Sequence, residues 1–269
     1  MCDESLVKII DRFLRFQNEC ADLAIEIAVL HRKAEPKLVA ICGGLFNFMA
    51  ARSEAVVELI KLGAIWDAQI LVRPIIEAYV KICYLCFSPV DKRLGLCEEY
   101  EHTLSVVSRL KQHDKAFRTL DSIPGSHDPM LEALILSEDM LAELRQRVPK
   151  DVRKDVESRW GFTRMVMTID RQLKETFNIS PLSSMLHTYG MSSHLIHADE
   201  TGLGTIRARD RLEEPKLSAV VQSHRIALLD IIAGTAMLST LAVAWAAQIK
   251  LVDAVLLTET YKSVHGGSY

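Results

Sequence analysis

Residues 66–79 read Trp66-Asp67-Ala68-Gln69-Ile70-Leu71-Val72-Arg73-Pro74-Ile75-Ile76-Glu77-Ala78-Tyr79. The segment around them, about 65–87, is apolar on almost every side, which predicts a buried central helix. Pro74 removes one backbone hydrogen bond inside it and predicts a kink. Upstream, Gly63 ends a helix that Pro36 opens at its first turn. Before that, Leu6, Ile9, Ile10, Phe13 and Leu14 recur at helical spacing, and Cys20, Leu23, Ile27 and Leu30 extend the stripe. Downstream, helices are predicted over about 92–120, 130–147, 162–177, 182–197 and 215–249. The segments 122–129, 149–159 and 199–214 read as loops, and the last glycines, Gly266 and Gly267, as a fraying end. The predicted fold is all-α: a single bundle of about eight helices over residues 1–269, with a long apolar C-terminal core helix. The charged segment 149–159 is the one candidate sub-boundary.

Composition supports this reading. The 269 residues include only 12 glycines and 8 prolines, so turns are few and segments long. Hydrophobic residues make up 49% and charged residues 25%, which excludes a disordered or collagen-like chain. Lys and Arg number 32 against 35 Asp and Glu, a net charge of −3, which gives no support to a general nucleic-acid coat. The six cysteines mostly sit in apolar helical patterns and read as small core residues. Cys83 and Cys86 form a lone CxxC where a structural zinc would need four ligands. Met1 to Ser5 is acidic and lacks the features of a secretory leader. The stretch Ile226–Ile249 is long enough to span a bilayer. It holds many small residues and carries Asp230, so a core helix is expected. The expectation is a cytoplasmic chain with no membrane association.

One polar constellation could carry chemistry. Arg73 and Glu77 share a face of the apolar helix at i and i+4. Tyr189, Ser193 and His197 follow one another at i, i+4 and i+8, drifting by about 40° per step. If these faces converge, His197 supplies general acid/base chemistry near neutral pH and Arg73 stabilises developing charge. Glu77 orients the imidazole, while Tyr189 and Ser193 position a phosphate or ribose. Together these are the parts for metal-independent RNA cleavage. His194, with Arg207 and Arg209 in the following loop, would bind substrate. His194, His197, Asp199 and Glu200 are alternative ligands for a divalent metal. His224, Arg225 and Asp230 begin the last helix and could face the same pocket. The bland alternative is a buried ion pair and a helix-capping histidine. A non-catalytic sensor or interaction protein then follows.

The segment Leu71-Val72-Arg73-Pro74-Ile75-Ile76-Glu77-Ala78-Tyr79, with Tyr189-x-x-x-Ser193-x-x-x-His197 before a long final helix, resembles an uncharacterised all-helical bacterial family filed as a domain of unknown function. The likeness covers roughly residues 40–245. Proteins of this kind are similar to the HEPN-type helical group, which implies ribonucleases of toxin–antitoxin and phage-defence systems. It also implies a homo-oligomer, with RNA or a cognate antitoxin as partner. That group's hallmark is Arg, four to six residues, then His; here Arg109 and His113 have three residues between them.

Overall fold

The computed structural model describes residues 4–122, 127–178 and 182–249. Cys2, the core of the expected loop at 123–126, the break at 179–181 and the expected fraying end lie outside the described residues. The fold is all-α, and among the described residues there is no strand.

Cα packing divides the chain into two compact units, Met1–Pro89 with Met165–Tyr269, and Val90–Arg164. The divisions fall at residues 89/90 and 164/165, and the segment 149–159 lies inside the second unit.

The first unit opens with α1 (Glu4–His31), α2 (Pro36–Lys61) and α3 (Ile65–Phe87). Pro36 stands in the first turn of α2, where its missing N–H costs nothing. Gly63, at φ 78°, makes the turn from α2 into α3 that a side chain would strain. The unit closes with α9 (Phe162–Phe177), α10 (Ser183–His197), α11 (Glu200–Asp210) and α12 (Lys216–Ala246). The central helix α3 packs chiefly against α2 and α12 on one side and α10 on another. Val72, Ile75, Ile76 and Tyr79 are buried in its middle, as its all-round apolarity predicts. Pro74 lies inside α3, which continues on both sides of it. By length and composition α12 could cross a membrane, and 67% of its most apolar window is buried inside the protein. The Thr240 hydroxyl on α12 donates to the Cys20 carbonyl of α1 at 3.0 Å.

The second unit holds α4 (Val90–Glu98), a π-helical turn (Glu99–Thr103), α5 (Leu104–Ser122), the short α6 (Pro129–Glu132), α7 (Glu138–Arg147) and α8 (Lys150–Arg159). Its core gathers Val106, Val107, Leu110, Leu136, Leu144 and Val148. Glu99 in the π turn accepts from the Trp160 indole at 2.7 Å and pairs with Arg159 at 3.4 Å. His113 is buried, and its Nδ1 accepts from the Leu136 backbone N–H at 3.0 Å. That bond makes His113 a structural residue, while Arg109 is exposed.

Two expected loops are helices. The charged segment after Pro149 forms α8, because it holds good helix formers and an i,i+4 pair between Asp155 and Arg159 at 2.5 Å. The polar segment after Asp199 forms α11 despite Gly202 and Gly204. The Asp199 side chain caps it by accepting from the Gly202 N–H at 3.1 Å. The expected single helix over 92–120 is interrupted by the π turn, an insertion that periodicity does not reveal.

Candidate functional site: a polar ladder on the central helix

Four side chains at helical spacing on α3, Trp66, Gln69, Arg73 and Glu77, leave the apolar pattern and face polar partners on three other helices. Arg73 and Glu77 form the outer rung with Tyr189 of α10. The Arg73 Nε donates to a Glu77 carboxylate oxygen at 3.2 Å, and its Nη2 donates to the Tyr189 hydroxyl at 2.7 Å. The Tyr189 hydroxyl in turn donates to the same Glu77 oxygen at 3.0 Å. The guanidinium also lies over the Tyr189 ring, 4.4 Å from its centroid. Burial works against the Arg73 charge, but its bonds to Tyr189 and Glu77 outweigh that and raise its pKa. Burial and the neighbouring Glu77 carboxylate raise the pKa of Tyr189, against the opposing pull of Arg73. Tyr189 is therefore a neutral phenol at ordinary pH, suited to hydrogen bonding and not to acting as a base.

The next rung is built on Gln69. Its side-chain N–H donates to the Ser192 hydroxyl at 2.8 Å. The Ser192 hydroxyl hydrogen is shared between the Gln69 and Thr188 main-chain carbonyls, each at 3.0 Å. His224 of α12 bonds the Gln69 side-chain oxygen through Nε2 at 3.0 Å, which makes Nε2 the protonated nitrogen. The His224 ring stands edge-on to Trp66 at 5.1 Å, and Arg209 of α11 lies over the Trp66 ring at 4.5 Å. Burial, then the Arg209 charge, lower the pKa of His224 below its usual value. The ladder thus joins α3, α10, α11 and α12 in one network.

The structure brings together Arg73, Glu77 and Tyr189, and adds Arg209 at the far end. It does not bring His197 to them. Tyr189 bonds near Arg73 and Glu77 while Ser192 bonds Gln69, so α10 runs antiparallel to α3. Eight residues beyond Tyr189, His197 lies about 12 Å along the helix axis toward the start of α3. It is also turned about 140° from Ser192, the residue that faces the core. His197 is accordingly exposed. The drift of i, i+4, i+8 spacing accumulates to about 80°, which carries the third member off the face. The same rotation leaves Ser193 outside the ladder, one position past Ser192.

His194 is engaged elsewhere, with its Nδ1 2.7 Å from Asp199. That bond, together with the Gly202 N–H, lowers the pKa of Asp199. The Arg207 guanidinium pairs with Glu200 at 2.5 Å on the exposed side of α11. The four alternative metal ligands His194, His197, Asp199 and Glu200 are thus dispersed over a helix end, a cap and a surface pair. Among the described residues no group of three or more His, Cys, Asp or Glu side chains is placed to hold a metal ion.

Sequence reading missed Gln69, Ser192 and Trp66, and left His224 unplaced. The signal was present in α3: Gln69 and Arg73 are four residues apart in an otherwise apolar helix, the same criterion that singled out Glu77.

Fold and network together define an all-helical protein whose central helix is fastened to its neighbours by a buried-to-exposed polar ladder. The chain belongs to the family of unknown function DUF5677, whose family model matches residues 39–211. The matched segment contains both the Arg73–Glu77 and the Tyr189–His197 motifs, as the sequence resemblance leads one to expect. No curated protein and no solved structure matches the chain.

Proposed function

We propose that the chain works by binding, as a helical sensor or interaction protein. In this reading the Arg73 ladder is the latch that holds the α10–α11 pair against the central helix. The closed Arg73–Glu77–Tyr189 triangle carries the reading. Each polar group in it is satisfied by another member, and the phenol is held neutral. A latch of charge-assisted bonds at a half-exposed edge is the kind of element that a partner can open or lock. The partner expected here is a protein, a second copy of this chain included.

A ribonuclease in a defence or toxin role needs an imidazole beside Arg73, and the candidate imidazole, His197, ends α10 on the solvent side. The deciding experiment incubates the purified full chain with single-stranded RNA in the presence of a chelator, alongside His197→Ala, Arg73→Ala and Tyr189→Phe, and records melting of all four. The expected result is no cleavage by the wild type above the His197→Ala background. Melting is lowered in Arg73→Ala and Tyr189→Phe and unchanged in His197→Ala. Cleavage by the wild type that disappears in His197→Ala at unchanged melting overturns the binding reading in favour of the catalytic one.

A further inference from the structure

Away from the ladder, α1, α2, the end of α3 and the end of α12 enclose a cavity of about 280 Å³. Its walls are small and apolar, with Ala24, Ala28, Cys42, Gly43, Val243 and Ala246 among them. Gly43 is the informative wall. A glycine inside a helix costs about 1 kcal/mol relative to alanine. A Cβ built on Gly43 would meet nothing within 4 Å, so no neighbouring atom of the chain requires the missing side chain. What the glycine preserves is the open space.

The size of that space selects its occupant. Apolar cavities of about 150 Å³ hold one benzene ring, so this one takes a body about twice as large. A sphere of this volume is about 8 Å across, narrower than the 10–12 Å of an α-helix with its side chains. A helix from a partner cannot enter, and a small molecule can. The polar groups lie at one end, where His31, Glu35 and Asn47 also line the cavity. The Asn47 amide can both donate and accept. The Glu35 carboxylate disfavours an anionic end, and His31 beside it offers no counter-charge to a cationic one.

We propose that this cavity is a binding site for a small neutral molecule with a hydrocarbon body of roughly ten to fifteen non-hydrogen atoms and a single hydroxyl or carbonyl end. The proposal is independent of the Arg73 ladder.

The test titrates the full chain with N-phenyl-1-naphthylamine, a neutral dye that fluoresces in apolar surroundings, and competes it with 1-decanol, decanoate and decylamine. Saturable one-to-one binding displaced best by 1-decanol is expected. Gly43→Leu fills the cavity and weakens dye binding at least tenfold. Gly44→Leu, about 100° further round the same helix, leaves binding unchanged and controls for the effect of replacing a glycine. The proposal is overturned by absence of saturable binding, by equal binding in Gly43→Leu and the wild type, or by displacement with either charged decyl compound and not with decanol. Conversion of a dimer to a monomer by Gly43→Leu would assign the cavity mouth to a second copy and also overturn it. So would dye binding that the wild type lacks and Leu256→Asp gains, because the occupant would then be the chain itself.

Discussion

At the scale of single residues, the ladder separates groups that look alike in the sequence. Ser192 and Ser193 are neighbours, yet only Ser192 bonds across to Gln69. Ser192→Ala should cost about 1–3 kcal/mol, because it leaves buried Gln69 groups without their partner. Ser193→Ala should stay within about 0.5 kcal/mol. Urea unfolding of the two variants checks the pair, and equal losses would contradict the assigned facing of α10. Tyr189→Phe keeps the ring under the Arg73 guanidinium and removes only the hydroxyl, so about 1–2 kcal/mol should go. Acid acts on the same network through His224. Its pKa is lowered in the folded state by burial and by Arg209, so the unfolded chain binds the proton more readily. Stability from this group is therefore complete above the ordinary histidine pKa of 6.5 and falls as pH drops below it. Unfolding free energies measured at steps from pH 8 to pH 5 should show that slope in the wild type. His224→Gln should flatten it while keeping a donor to Gln69.

At the scale of elements, the corner between α10 and α11 turns on one glycine. Ala198 adopts a left-handed conformation at φ 47°, Asp199 caps α11, and Gly202 comes up beneath the end of α10. A Cβ on Gly202 would stand 2.5 Å from the His194 backbone carbonyl oxygen, so backbone must move to admit it. Gly204, two residues on, has nothing within 4 Å of a built Cβ. Gly202→Ala should therefore lower the melting temperature by several degrees. Gly204→Ala should raise stability by up to about 1 kcal/mol through helix propensity. Melting curves of both variants decide it, and a tolerated Gly202→Ala would show that the corner is not packed as described. This corner also shows where the sequence was legible and where it was not. Periodicity and the breakers Pro36 and Gly63 placed α1, α2 and α3, because hydrophobic spacing reports burial directly. The two glycines of α11 read as loop residues, because the need for close backbone approach to His194 is tertiary and leaves no local mark. The same limit explains the site. Arg73, Glu77 and Tyr189 stood out as polar residues on helices otherwise apolar or aligned. Which of Ser192, Ser193 and His197 joins them depends on the rotation of α10 against α3, which spacing on one helix cannot supply.

At the scale of the whole molecule, two separate cores bear on how stability is distributed. Ile75, Ile76 and Tyr79 of α3 lie in the first, and Leu110 of α5 lies in the second with Val106, Val107, Leu136, Leu144 and Val148. The chain enters the second unit after Pro89 and returns from it before Met165, so the first unit is assembled from segments on either side of the second. The first core cannot be completed until α12, more than a hundred residues after α3, has packed against it. The second is built from helices that follow one another directly, so its contacts close over short loops at small entropic cost. A cavity in one core should be felt first in its own unit. Leu110 is 2% exposed, so Leu110→Ala should cost about 2–5 kcal/mol. In native-state hydrogen exchange its effect should appear as faster exchange in α5, α7 and α8, with protection retained in α3 and α12. Ile76→Ala, at 0% exposed, should do the reverse and accelerate exchange across α2, α3 and α12. Uniform acceleration of both units by either variant would show that the two cores unfold as one cooperative block.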